Sequence, residues 1–532
     1  MSDAKDVTID SAPGPLPSTE KSSIVFNSNA VDTPPAIGEL TFEEYTSGGL
    51  GRHLGVFSTI CLIVGRIIGT GIFSTPASVT DSVGSVGASL LLWVLGLLLA
   101  GAGLCVWLEF GCMIPRSGGE KVYLEAVYRR PKLLITVIFA AQAVALGFTA
   151  SACIVFASYV VIAANRKATE WEERAIAIAV VGSITLLHAF SPRFGVRSMN
   201  AIGVIKIATV VFIVVTGWVI LGGAVASVPD PYTSFRRPFA ASATSSNQYS
   251  AALFKVTGSF AGWSNAAYVM NEIKNPTHTV KIAAPTALLI SGTLYILANV
   301  SYYSAGTPYE IANSGVTVAS FFMERVFGAA AKRALSVLVA ISAFGNAMTT
   351  TFAQARVIQE LAKEGVLPFP RFWAASWPFG SPSSGLFLHF LLSFTILIAV
   401  PFGDAYNFIL DLAGYPNSII SLLVAIGLLY LRWSSPDIPR PFKVWWPVAF
   451  FFAAGQAFQL VAPFMRPPGA KGDTSLPYWL HAFVGIVVLL LGVVYWAVWQ
   501  KISPWLGRYR LVPTHGALKD GTTVVAYKRV YS

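Results

Sequence analysis

Runs of about 20 apolar residues, the length of helix that crosses the hydrocarbon core of a bilayer, recur twelve times along this chain of 532 residues. They lie near 55–82, 86–113, 131–164, 172–190, 197–222 and 249–273, then near 278–304, 331–362, 384–401, 404–432, 443–465 and 476–500. In hydrocarbon, a helix is the one structure that satisfies its backbone within a single segment. The expected fold class is therefore an all-α polytopic membrane protein with 12 transmembrane helices. With 54% hydrophobic and 12% charged residues, the chain has too little polar surface to cover a water-soluble globule of this size.

The formal net charge of +11 does not point to nucleic acid, because the basic residues collect between alternate runs. Arg116, Lys121, Arg129, Arg130 and Lys132 follow run two, Arg193 and Arg197 follow run four, and Lys274 and Lys281 follow run six. The same parity continues with Lys363 and Arg371, with Arg432, Arg440 and Lys443, and with Arg508, Arg510, Lys528 and Arg529. Such loops face the cytosol, so both termini are expected there and the loop 223–248 outside. Residues 1–50, acidic and polar with no apolar leader, read as a disordered cytosolic tail. Residues 501–532 read as a second cytosolic tail. Cys61, Cys105, Cys112 and Cys153 all fall inside apolar runs and do not suggest a disulfide framework.

Two runs are interrupted. Run one contains Gly69-Thr70-Gly71 and run six contains Gly258-Ser259-Phe260-Ala261-Gly262. Glycine loses more entropy than any other residue in a helix, and flaws at matching places in two halves mark broken helices around a solute site. Runs one to five (51–222) and six to ten (249–435) form two blocks of odd span number, so the second enters the membrane in the opposite sense. This is a 5+5 inverted repeat with broken helices one and six; runs eleven and twelve (436–500) lie outside it. A lone Gly-Thr-Gly also serves close helix packing, and only the pairing of the two breaks argues beyond that.

A broken helix frees amide N–H groups at one half-helix and carbonyls at the other, which suits a zwitterion. The freed N–H groups of Thr70, Gly71 and Ile72 are candidates for a carboxylate. The carbonyls of Ile67, Gly258 and Ala261 are candidates for an ammonium. Lys206, deep in run five, is costly as an ion in hydrocarbon unless it faces protein, water or a partner; the nearer helix end is about nine residues or about 13 Å away, which favours a structural or proton-linked cation at the core over a lysine snorkelling to a headgroup. Arg66, just before the first break, has Glu109 and Asp411 as candidate partners. Glu109 suits a buried ion pair as well as a part in proton coupling.

The stretch Ile67-Ile68-Gly69-Thr70-Gly71-Ile72-Phe73-Ser74-Thr75-Pro76 resembles the G-[ST]-G-I-F signature of the L-type amino acid transporters, within the amino acid, polyamine and organocation superfamily. Further segments agree in order: Glu109-Phe110-Gly111, Ile114-Pro115-Arg116-Ser117-Gly118-Gly119-Glu120, Gly262-Trp263 with Asn271-Glu272-Ile273-Lys274-Asn275-Pro276, and Phe344-Gly345 with Arg356 and Lys363-Glu364-Gly365-Val366-Leu367-Pro368. The resemblance covers about 50 to 435 of the chain. Within the family, Phe254-Lys255-Val256 leading into Ser259-Phe260-Ala261-Gly262 is most similar to fungal methionine permeases.

The resemblance implies the five-plus-five fold and secondary active transport of a neutral L-amino acid, methionine or a related sulfur or apolar one, by alternating access. It implies a multi-pass protein of the plasma membrane. Lys206 becomes a built-in cation standing where sodium-coupled relatives hold an ion, and protons become a candidate coupling partner. Arg66 stands where relatives often carry a small or polar residue, which makes it a candidate gate charge. An aromatic gate is expected five residues before Trp263, but that position is Gly258, so Phe260 is the candidate lid. Asn346 and Met348 are the candidate pocket residues of run eight, and Trp263 is expected to pack the second half-helix. The loop Asn165-Arg166-Lys167-Ala168-Thr169-Glu170-Trp171 lacks the cysteine by which many animal relatives link to a single-span partner, so no disulfide-linked heavy chain is expected.

An enzyme is not expected: there is no P-loop, no His- or Cys-rich metal spacing and no G-x-S-x-G elbow. No metal or other cofactor is expected either. The reading from a different class is a sensor that binds an amino acid without moving it.

Overall fold

The protein is described by a computed structural model covering residues 54–531 apart from 269, 271–272, 377–379, 468–473 and 519–522. The expected tail 1–50 and the pair Asn271-Glu272 lie outside the described residues.

Among the described residues, helix occupies most of each apolar run. Among the described residues, nine helices are long and apolar enough to cross a membrane, from Val86–Met113 to Leu480–Gly507. Run one adds a bent pair, Val56–Ile67 and Gly71–Val83, whose axes differ by 43°. Run six is the helix Ser246–Ser259 followed by a 3₁₀ segment Trp263–Tyr268. Run nine is the shorter helix Ser383–Ala399.

Run three is not continuous, as its apolarity suggests, but divides into Leu134–Ala145 and Ala150–Ala163. At the division a β-carbon on Gly147 would lie 2.3 Å from the Ala143 carbonyl oxygen, and the Thr149 N–H donates 3.1 Å to Ser393 Oγ of run nine rather than back along its own helix. Gly84 ends run one in the left-handed region (φ 72°), so that run two starts at once after Ser85, whose hydroxyl caps Ala88. The loop 223–248 folds over this end of the bundle. Its Pro238 carbonyl accepts from Gly87 N–H at 2.6 Å, and Ala243 N–H donates to Val83 at 2.9 Å.

The largest apolar core joins residues of runs one to ten, and both interruptions lie within it. At the opposite end, the Gly118 and Gly119 N–H groups both reach the Ala267 carbonyl at 3.2 Å, so the linker after run two fastens onto the second half of run six.

The residues after run twelve depart from an all-helical fold. Tyr509–Ala517 (β1) and Thr523–Tyr531 (β2) pair antiparallel, with Tyr509 opposite Tyr531 and Ala517 opposite Thr523. Val524, with Leu518, packs into a small apolar cluster with Ala362, Leu367, Trp373 and Ala374 beneath run eight. Trp499 meets Tyr527 edge to face at 5.1 Å.

Candidate solute-binding site

The two breaks meet. A β-carbon on Gly71 would lie 2.7 Å from Ser259 Oγ, and one on Gly262 would lie 2.6 Å from Arg66 Cγ. Glycine at these positions lets the interrupted backbones of runs one and six approach to contact. Gly262 also needs its freedom for conformation, since it turns the chain at φ +121° between the two halves of run six. The third wall is run eight: the side chain of Asn346 would lie 3.1 Å from a β-carbon on Gly69.

In run one the second half-helix starts at Gly71, so the N–H groups of Gly71 and Ile72 are among those without a partner inside the helix. Thr70 and Ile72 are buried, and the Thr70 carbonyl accepts from Phe73 N–H at 3.1 Å. The carbonyl of Ile67 is buried and already accepts from the Tyr295 hydroxyl at 2.6 Å. Gly258 and Ala261 are exposed, the space beside Gly258 is open, and the Gly258 carbonyl accepts from Ala261 N–H at 3.1 Å. A carbonyl oxygen has two lone pairs, so the hydroxyl of Tyr295 alone does not saturate the Ile67 carbonyl.

The candidate pocket residues divide. Phe260 is fully buried, edge to face with Trp93 at 5.9 Å and tilted on Tyr295 at 5.3 Å. Because Tyr295 also holds the Ile67 carbonyl, Phe260 touches the group that ties down the first break. Trp263 stacks its edge on Trp107 at 5.1 Å, at the start of the second half of run six. Asn346 faces Gly69, whereas Met348, two residues on and so about 200° round the helix, lies on another face. Its carbonyl accepts from His188 Nε2 at 3.1 Å.

The charges sort in a way the chain order did not reveal. Lys206 is 2% exposed at the middle of Pro192–Leu221, too buried for a snorkelling side chain. One turn away, Ile202 packs on Gly345 of run eight. Arg66 stands near enough to Lys206 for the two to repel. Arg66 does not pair with Glu109: its Nη1 donates 2.5 Å to Thr350 Oγ1, which in turn donates to the Asn346 carbonyl at 3.0 Å. Glu109 is instead gripped by the fork of Arg432, with Nε to Oε1 at 3.0 Å and Nη2 on Oε2, and it accepts from Val444 N–H at 2.8 Å. Arg440 Nε approaches it at 3.5 Å. Both partners sit where runs two and ten end on the same side of the bundle.

Three contributors went unassigned in the sequence. Lys255, fully buried in the first half of run six, donates to Ser82 Oγ at 3.2 Å and so links it to run one; a lysine inside an apolar run was its signal. Ser259 lies inside the interruption that the glycines of run six mark, but only packing sets it against Gly71, and Tyr295 carries no signal in sequence.

A bundle of long apolar helices, two of them interrupted and touching at their interruptions, defines a multi-pass membrane protein. The chain belongs to the amino acid permease family, whose profile matches residues 54–490. It is 38% identical over 488 residues to the high-affinity methionine permease of Saccharomyces cerevisiae, covering 90% of this chain and 84% of that one. The low-affinity methionine permease of the same yeast is 33% identical, with 90% and 88% covered. The b(0,+)-type amino acid transporter 1 of Mus musculus is 29% identical, with 86% and 92% covered. The family and these relatives are transporters rather than enzymes.

Proposed function

We propose that this protein is a secondary active transporter of neutral L-amino acids, with methionine or a similar sulfur-containing or apolar amino acid as substrate. The single observation that carries the site is the contact of Gly71 with Ser259, which brings the interruptions of runs one and six to one place. The methionine reading draws on the names of the two yeast relatives.

In this reading the chain crosses the plasma membrane twelve times as a five-plus-five inverted repeat, with both termini in the cytosol. The substrate carboxylate lies at the N–H groups of Thr70, Gly71 and Ile72, where the helix dipole favours an anion. The ammonium lies against the Ile67, Gly258 and Ala261 carbonyls. Phe260 and Asn346 stand nearest the side chain, Trp263 supports the second half of run six, and Met348 acts from behind. Lys206 supplies fixed positive charge beside the first break. Arg66 latches the first half of run one to run eight through Thr350, and opening that latch accompanies the inward-facing state. Glu109, held by two arginines, anchors the scaffold.

Transport is favoured over sensing because the relatives are named permeases and transporters. The test is uptake of labelled amino acids into vesicles containing the purified chain, over a substrate panel at two external pH values. Accumulation or counterflow of methionine is expected, with stimulation at the lower pH if protons are carried with it. Binding without accumulation or counterflow overturns the transporter reading.

A further inference from the structure

The end of the chain is held too firmly, and charged too one-sidedly, for a solvated tail. Residues 501–532 carry Lys501, Arg508, Arg510, Lys519, Lys528 and Arg529 against the single acid Asp520. The hairpin is fastened at both ends. Near its tip Val524 sits in the apolar cluster with Ala362 and Ala374, and a β-carbon on Gly365, where run eight has just ended, would lie 2.4 Å from the Val525 carbonyl oxygen. At its base Tyr509 is buried and carries the Arg529 guanidinium over its ring at 5.0 Å.

The register decides which side chains are left over. Arg510 lies opposite Val530, and Val512 lies opposite Lys528. Opposite residues, and residues two apart along a strand, share a face. These four therefore form one patch, in which Arg510 and Lys528 stand diagonally at about 7–8 Å. All four are exposed, and among the described residues neither cation has a carboxylate partner. A patch that alternates valine with unpaired cation matches a surface that is anionic outside and apolar within.

Such a surface is within reach. β1 begins just after the last turn of run twelve, Ser503–Gly507, whose Trp505 is 78% exposed and whose Leu506 is exposed beside it. Across the Val524 cluster, the helix Pro370–Ala374 turns Trp373 and Ala374 inward and leaves Phe372, with Phe369 before it, exposed. Exposed aromatic residues at the ends of apolar spans are the ones that sit at headgroup level.

We infer that the hairpin face formed by Arg510, Val512, Lys528 and Val530 binds anionic phospholipid headgroups, with Trp505 and Leu506 entering the bilayer beside it. The occupant is the membrane rather than a soluble anion or another protein because the patch continues, through Trp505, into a helix that crosses the bilayer. In the topology proposed above this end lies in the cytosol, where the leaflet carries the anionic lipids; the binding itself does not depend on the transport reading. Lipid held there ties the hairpin, and through Val524 the end of run eight, to the membrane surface.

The experiment is amide hydrogen exchange over residues 509–531 of the purified full chain, in nanodiscs of phosphatidylcholine alone and of phosphatidylcholine mixed equally with phosphatidylserine. A ligand of the folded hairpin slows its opening, so exchange should be slower in the anionic discs by about fivefold for each cation engaged. The difference should vanish in about 1 M salt, where the screening length is about 3 Å. Arg510→Gln with Lys528→Gln should exchange like the wild type in phosphatidylcholine, which shows the hairpin intact, and gain nothing from phosphatidylserine. Equal exchange of the wild type in the two lipids overturns the inference, as does a double variant that keeps the response. Equal protection by soluble glycerophosphoserine added to phosphatidylcholine discs overturns it too, since the face would then serve a soluble anion. If the double variant already opens the hairpin in phosphatidylcholine, the salt series on the wild type decides, and a lipid response that survives high salt sinks the inference.

Discussion

Ser259 of run six lies so close to Gly71 of run one that a β-carbon on the glycine would come within 2.7 Å of its hydroxyl oxygen and 3.0 Å of its Cα. The contact involves backbone as well as side chain, so it cannot be relieved by a rotamer change. The two interrupted helices are therefore set against one another by the absence of a single methyl group.

Gly71→Ala should thus force the breaks apart, at an overpacking cost of about 1–3 kcal/mol, and lower uptake without preventing insertion. Adding Ser259→Gly, which removes the nearer atoms, should restore part of the loss. Methionine uptake normalised to protein in the membrane checks this; full activity in Gly71→Ala would refute a tight fit at the breaks.

Lys206→Ala should reduce uptake at least about tenfold, a loss of about 1.4 kcal/mol in transition-state terms, whereas Lys167→Ala at an exposed loop position should leave it unchanged. Comparable activity in the two variants would remove the buried lysine from the mechanism.

Glu109 and Arg432 are both nearly inaccessible to solvent. Removing one partner of a buried pair costs about 3–5 kcal/mol because the other charge is stranded. Glu109→Gln should therefore lower thermal stability in detergent sharply, and Glu109→Gln with Arg432→Met should recover much of it. A stable single variant with altered proton dependence would mean that Glu109 carries protons.

Thr307 and Glu310 cap the helix Pro308–Asn313 reciprocally, with Thr307 N–H to Glu310 Oε2 at 2.9 Å and Glu310 N–H to Thr307 Oγ1 at 3.3 Å. The Thr307 backbone N–H holds the Glu310 carboxyl below its ordinary range. The cap is then fully present above the ordinary value of about 4.3 and is lost as pH falls through the lowered one. The gain is below about 1 kcal/mol, since part of the side chain is in water. Amide exchange of this helix should quicken on acidification in the wild type and show no such step in Glu310→Gln.

The membrane bundle was legible because its signals are local. Apolar length marks the long helices, and the glycine pairs mark both interruptions. What was not legible depends on residues far apart in the chain. Arg66 finds Thr350 and Glu109 finds Arg432 across nearly three hundred residues or more, and no periodicity reports such distances. The division of run three at Gly147 was hidden by uninterrupted apolarity. The final hairpin looks like a cytosolic tail in sequence because Arg510, Lys528 and Arg529 give it the basic character of a solvated segment. Its alternation around Val524-Val525 and the Asp520-Gly521 turn signal were present in the chain.

Pairing Tyr509 with Tyr531 folds the end of the chain back to the point where run twelve's last helical turn, Ser503–Gly507, has just finished. A fluorophore or nanobody tag joined after Tyr531 would leave from a point about 5 Å from Tyr509 across the strand pair, not from the tip of a loose tether. Its distance to a second label would then report the position of the bundle's last helix, so such a fusion is a ruler for conformational change as well as a handle.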